Sequence, residues 1–383
     1  MSWPIPDFVE IEYPKPISLR VWLPTLVAVA LAAAAAVLLV WPHGKPTNTL
    51  QFWGTLFGAP VVACVLLFGW RLTQWEDEWK DAKDDEKEQD WLKEGWRDWS
   101  RHQARVIDVA AFPAATDEID RFSAEKFDLP PNSERSITFD WVDGRSATFR
   151  RTRLLRLVAL RFADELRGRK GVIVTLMLDE TSFKQAEEWT QQVLRTLGPT
   201  ISGLDVEVQL ATGGVEWITQ LADRVDTVTR LVIAAQLWLD EGAEHHFSEG
   251  AAAFLIDPGA TSTGLIFRPM ATTDDTMKIG LGQIREYQMA RDRLENVWVA
   301  NCESDEATAI RSALAPDPKD MPGERLLDSV LGKPGPASGW IALAIVIEAM
   351  RGARPQLVGW REPESECLYL CTVSPMPQKE TTA

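Results

Sequence analysis

Four histidines occur in 383 residues, and two of them, His245 and His246, stand side by side near Glu241, Glu244 and Glu249. Imidazoles and carboxylates are the donor set of a zinc site, but neighbours on an extended segment point to opposite sides. The pair reads as a solvated loop, and no metal is expected. The cysteines, Cys64, Cys302, Cys367 and Cys371, form no CxxC pair, and Cys64 lies in an apolar run, so neither a disulfide framework nor a thiolate metal site is indicated. Gly213-Gly214 and Gly280-Leu281-Gly282 lack the Lys-Ser/Thr that completes a phosphate loop and read as turn and packing glycines. Asp274-Asp275 and Asp317-Pro318-Lys319-Asp320 read as surface turns rather than as a carboxylate pair for acid–base work. No cofactor is expected.

The elements that would have to position any chemistry begin after residue 102. Arg105 to Ala111 reads as a buried strand, Arg153 to Arg167 as an amphipathic helix, Gly171 to Leu178 as a second strand and Ser182 to Leu197 as a second helix. The alternation continues with a strand at 206–210, a helix at 215–222 and an apolar strand at 229–239. A strand pair follows at 254–256 and 264–268, then a helix at 277–293 and a strand at 297–300. Helices at 306–314 and 340–351 and a last strand at 367–373 close the order. This is α/β, a buried mixed sheet between helical layers. The stretch from Pro113 to Thr152, with Pro130-Pro131 and Asp143-Gly144, reads as a peripheral insertion or hairpin.

Ahead of this body lies a different composition. Residues 21–41 are apolar except Thr25, and about 21 residues at about 1.5 Å each reach across an apolar layer of about 30 Å. A second run, 52–70, follows a breaker-rich link, which makes a two-helix transmembrane hairpin. Lys15 and Arg20 precede the first run and Arg71, Lys80 and Lys83 follow the second, whereas the link carries only Lys45, so both ends are expected in the cytoplasm of a bacterial inner membrane. Residues 72–102 read as a charged helical stalk, with Trp75 and Trp79 on one face and Leu92, Trp96 and Trp99 on another. The domain reading is therefore residues 1–71 as N-terminal segment and hairpin, 72–102 as stalk and 103–383 as cytoplasmic body. Lys plus Arg number 40 against 56 Asp plus Glu, a net charge of −16, which argues against a nucleic-acid partner.

Four passages of the body resemble the thiolase-like fold, and among its members the ketosynthases. Gln209-Leu210-Ala211-Thr212-Gly213 before a helix is similar to the turn where the family carries its cysteine nucleophile. Phe247-Ser248-Glu249-Gly250-Ala251 is similar to its Gly-Glu-Gly-Ala segment. Val299-Ala300-Asn301-Cys302 ends a strand where the family places a first histidine, and Gly332-Lys333-Pro334-Gly335-Pro336-Ala337-Ser338-Gly339 is similar to the turn carrying the second. The resemblance implies thiolase-like layered mixed sheets with helices, and a homodimer built through the 206–239 region, with apolar Val232, Ile233 and Leu237.

The departures from that pattern decide the functional expectation. Condensing chemistry needs a thiolate nucleophile and imidazoles that activate a carbonyl and stabilise an oxyanion. The matching positions are Leu210, Cys302 and Lys333, and the family's lysine position holds Asp328. No catalytic residue is expected, and Cys302 reads as a small buried thiol at a strand end. The layout, a membrane segment ahead of an inactive thiolase-like domain, also resembles the lipase-adaptor proteins of bacterial type VI secretion. That likeness implies a non-catalytic adaptor handing a secreted effector to its machine. The alternative is an inactive partner subunit or a diverged enzyme of fatty-acid or polyketide metabolism.

Overall fold

A computed structural model describes the chain except Met1 and residues 43–44, 125–126, 128, 143–145, 225–226, 240–245, 290–293, 316–317, 353, 364 and 376–383. The described residues form two compact bodies, Pro6–Gly95 and Met1–Ile5 with Trp96–Ala383.

The smaller body holds α1 (Leu19–Val40) and α2 (Leu50–Ser100) up to Gly95, and both helices are long and apolar enough to cross a membrane. They pack on each other through Trp22 against Phe68 and Trp41 against Phe52, and the Cys64 thiol donates to the Leu26 carbonyl at 3.3 Å. The stalk is not a separate helix: α2 runs from the second apolar segment through the charged one without a break. Residues 6–18, held extended by Pro6, Pro14 and Pro16, form a strap that lies antiparallel along the charged part of α2. Gln89 donates to the Val9 carbonyl at 3.0 Å, the Tyr13 hydroxyl to Glu86, and the Trp75 indole to the Lys15 carbonyl at 3.1 Å. The strap thus lies on the helix face that carries Trp75 and Trp79.

The larger body is built on β1 (Gln103–Pro113), α3 (Ala147–Arg161), α4 (Ala163–Leu166), β2 (Ile173–Leu178), α5 (Glu180–Phe183), α6 (Ala186–Leu197), β3 (Asp205–Leu210), α7 (Gly214–Asp223), β4 (Arg230–Gln236) and β5 (Gly250–Ile256). It continues with β6 (Gly264–Phe267), β7 (Met270–Thr272), α8 (Met277–Gln283), β8 (Asn296–Ala300), α9 (Ser304–Leu314), β9 (Gly323–Leu326), α10 (Asp328–Leu331), α11 (Ser338–Ala349), β10 (Gln356–Arg361) and β11 (Leu368–Pro375). The strand order is β3-β2-β4-β5-β1-β6-β11-β10-β8-β9, with β7 on β11.

That order contains one unit twice. In the first half β2 is parallel to β3 and β4, β4 is antiparallel to β5, and β5 is antiparallel to β1. In the second half β8 is parallel to β9 and β10, β10 is antiparallel to β11, and β11 is antiparallel to β6. The halves meet where β1 and β6 pair antiparallel, Gln103 opposite Phe267. Alternation along the strands then makes five layers. Leu231 and Ile233 face an outer core with α3 and α6, whereas Val232 and Ala234 face a central core with α7 and α11. Trp298 and Ala300 of β8 share that central core, while Val297 and Val299 face the other outer core with α8 and α9. The layered α/β fold expected from the sequence is the one observed.

Several expectations are corrected. Segments 254–256 and 264–268 do not pair with each other; β5 and β6 flank β1 on either side. Helix 277–293 is a short α8 followed by a π-helical turn, Ile284–Gln288, and the helix expected at 153–167 breaks at Phe162. The stretch 113–152 is neither a hairpin nor wholly peripheral: Phe122 sits in the central core and Phe139 in the first outer core, and α3 begins inside it. Its Asp143-Gly144 lies outside the described residues. Val232, Ile233 and Leu237 are buried within the single chain, so they are not available to a dimer interface; β3 is the open edge of that half. Trp3, from the N-terminus, is a core residue of the larger body, its indole donating to the Pro269 carbonyl at 3.2 Å and its ring edge-on to Trp99 at 5.9 Å.

Candidate functional site

The passages singled out in the sequence fall in two places. The turn after β3 runs from Leu210 through one 3₁₀ turn, Ala211–Gly213, into α7. Leu210, a third exposed, carries no nucleophilic atom and stands at the position where the resemblance puts one. The symmetry-related helix α11 starts opposite, and its Trp340 fills the space between. The indole donates to the Ala211 carbonyl at 3.3 Å and packs edge-on against Trp217 at 5.8 Å and Phe254 at 5.7 Å. Glycine is required at Gly214, where α7 touches α11, because a Cβ there would meet the Trp340 ring at 2.6 Å, and at Gly339, where α11 lies on β10 and a Cβ would meet the Trp360 ring. The cavity left among Ala211, Gly214, Trp340 and Trp360 is about 10 Å³, less than an acyl chain needs and at the limit for one water.

The second place is an open cleft of about 1570 Å³ at the C-terminal ends of β8 and β10, lined by Cys302 and Lys333 together but not by Leu210. The structure therefore brings two of the three singled-out residues together and leaves the third outside. Asn301 takes the left-handed conformation at the end of β8, φ 55°, which a short amide side chain tolerates. Its backbone N–H donates to the Asp328 carboxylate and its amide to the Arg361 carbonyl at 3.1 Å. Gly332 has φ 78°, and a Cβ there would meet the Arg135 carbonyl at 2.3 Å. The Lys333 N–H donates to that same carbonyl at 2.8 Å, and Ser248 N–H donates to the Lys333 carbonyl at 2.8 Å. The backbone bearing Lys333 is thus fixed on both sides.

The electrostatics of the cleft disfavour a thiolate. Burial, then Glu306 and Asp328, push the Cys302 thiol up to about 12, so it is protonated at neutral pH, 3.5 Å from the Ala300 carbonyl. Burial raises Asp328 to about 7. Arg361 donates to Glu306 at 3.2 Å and to Asp274 at 2.6 Å. Eight carboxylates line the cleft against Lys333 and Arg361, a field that repels polyphosphate groups. Beside Trp360, burial and then Glu216 raise Glu362 to about 7. Asp328 was visible in the sequence as a replaced lysine; Asn301, Arg361 and Glu362 were not singled out, and the one available signal was an Asn at a strand end.

His246 lines the cleft, while His245, Glu241 and Glu244 lie outside the described residues. Among the described residues no group of three or more His, Cys, Asp or Glu side chains could hold a metal ion. Glu249 is wholly buried and structural, accepting from Arg150 at 2.5 Å, from the Trp238 N–H at 2.9 Å and from the Phe139 N–H at 3.2 Å.

No protein-family model and no curated protein matches the chain. Solved structures do. The chain is similar to AbyA1, a tetronic acid condensing enzyme, at 14% identity and a TM-score of 0.46, over 70% of this chain and 99% of the enzyme. It is similar to cerulenin-bound OleA of Xanthomonas campestris at 11% identity and 0.44, over 71% and 96%. It is similar to the peroxisomal 3-ketoacyl-CoA thiolase of Saccharomyces cerevisiae at 9% identity and 0.48, over 72% and 98%. The likeness is one of fold. The thiolase is described as five α-β-α-β-α layers constructed from two core domains of identical topology.

Proposed function

We propose that the chain is a membrane-anchored, non-catalytic binding protein, an adaptor built on a thiolase-like body. The observation that carries the reading is the turn at Leu210, where the nucleophile position is aliphatic and Trp340 occupies the space beside it down to about 10 Å³. The two apolar helices and the flanking Lys15, Arg20, Arg71, Lys80 and Lys83 support an inner-membrane anchor with the body in the cytoplasm. The layout supports a protein partner of the kind that type VI lipase adaptors deliver, a secreted effector. Self-association through the open β3 edge belongs to the same reading.

A second reading, a diverged enzyme or inactive partner subunit of acyl metabolism, is favoured by one observation: Cys302 and Lys333 share a ligand-sized cleft. One experiment separates the adaptor from the diverged enzyme. The purified full chain in detergent is incubated with a short acyl thioester and analysed by mass spectrometry. The adaptor reading expects no covalent acyl group; an adduct on Cys302 that Cys302→Ala abolishes would establish the second reading instead.

A further inference from the structure

Helix α3 is a core helix on its inner side, where Leu154, Leu155 and Val158 are fully buried. Its outer side is not the uniformly polar face that such a helix normally turns to water. Phe149, Arg153, Arg156 and Leu160, spaced four, three and four, fall on one outward stripe, and all four are exposed, Leu160 by 76%. The neighbours on the same layer, Phe183 of α5 and Leu194 of α6, are exposed as well. Of the six large apolar side chains exposed in the described part of the larger body, four therefore lie on this one layer.

The charge of the layer is opposite to that of the chain. Between Gly144 and Ala163 there are six arginines and no Asp or Glu, and residues 146–200 carry ten Lys and Arg against six Asp and Glu, in a chain of net charge −16. Arg150 and Arg161 are committed to Glu249 and Asp108, and Arg167 is paired with Asp164. Arg153 and Arg156 are in no ion pair among the described residues.

We infer that the α3 face is a docking surface for an anionic lipid bilayer. Guanidinium groups alternating with Phe and Leu suit the headgroup boundary, where the rings and branches enter the acyl edge and the arginines meet lipid phosphate. An acidic protein surface with an apolar centre would cover the same residues, and it predicts no dependence on lipid charge in the test below. The inference rests on the proposed membrane anchor, because the hairpin keeps every copy of the body at a bilayer and so makes weak surface attraction sufficient.

The test uses the full chain in lipid nanodiscs, either all phosphatidylcholine or with about 30% phosphatidylglycerol, and hydroxyl-radical footprinting read by mass spectrometry. Oxidation of Phe149 and Leu160 is expected to fall about threefold or more in the anionic discs, with Ile279, exposed on α8, unchanged. Arg153→Glu with Arg156→Glu should abolish that protection while the protein still co-elutes with the discs. Equal oxidation in both lipids, with or without protection, overturns the inference and leaves the anchor standing. A chain that does not co-elute with discs overturns the anchor reading and this inference with it.

Discussion

Replacing Gly214 by alanine tests the filled space beside the Leu210 turn directly. The added Cβ would sit 2.6 Å from Trp340 Nε1, 2.8 Å from Cε2 and 3.0 Å from Cζ2. The indole cannot swing aside, since it is hydrogen-bonded to Ala211 and wedged between Trp217 and Phe254. Overpacking of this kind costs about 1–3 kcal/mol, against which alanine in a helix regains about 0.5–1 kcal/mol over glycine, so a net loss of about 1–2 kcal/mol is expected. Trp340→Leu removes all three of the clashing atoms. In that background Gly214→Ala should reverse sign and stabilise by up to about 1 kcal/mol, a coupling of about 2 kcal/mol between neighbouring sites. The assay is denaturant unfolding of the full chain in mild detergent followed by near-ultraviolet circular dichroism. Equal destabilisation by Gly214→Ala in both backgrounds would refute the claim that Trp340 occupies this space.

Three further outcomes follow from groups already described. Glu249→Gln leaves the Arg150 charge uncompensated in a buried site and should cost about 3 kcal/mol or more in the same unfolding assay. Asp328 titrates near 7 in the folded body and near 3.9 in an unfolded chain, so the folded state holds the extra proton between those values. Its contribution is complete below about pH 4 and is lost as pH rises to about 7, and Asp328→Asn should flatten that decline without abolishing it, because Glu362 behaves likewise. Cys302, with its thiol pushed up to about 12, should resist iodoacetamide at pH 8 in the native protein and react once urea unfolds the body; native labelling within minutes, read on the Cys302 peptide, would contradict its placement.

The parts of the fold that could be read ahead of the structure are those whose burial is one-sided or continuous. The run Ile173–Leu178 is apolar because β2 is covered on both faces, and residues 206–210 and 215–222 announce a strand, a turn and a helix by period alone. Gly250–Ala253 was missed as strand because alanine has little preference for it; small side chains are needed there, where a Cβ on Gly250 would meet Ile341. The four residues of β9, a partly exposed edge, carry no alternation to read. The strap at residues 6–18 has no period either, since its prolines hold it extended and its partners lie sixty or more positions away. At the site, the aliphatic Leu210 was legible from the turn around it. Trp340 was not, because α11 is apolar on all sides from Gly339 to Ile347 and gives no sign of which residue reaches the elbow. The cleft escaped for a different reason: Glu134, Asp274, Cys302, Asp328 and Arg361 become neighbours only when the second half of the sheet is assembled.

The burial of Trp3 settles a matter of parity. The chain leaves the larger body at Ile5 and rejoins it at Trp96, so whatever bilayer is crossed between those points is crossed an even number of times, irrespective of any charge rule. The segment between them is a bight whose two ends are made fast to the same post. A single cut in the 42–48 link would leave the body attached to both helices, on one side through the covalent run into α1 and on the other through α2. Under the proposed anchor, a cut in α2 leaves the body held only by the packing of Trp3 and Ile5, and a truncation that removes residues 1–70 takes a piece of the hydrophobic core with it.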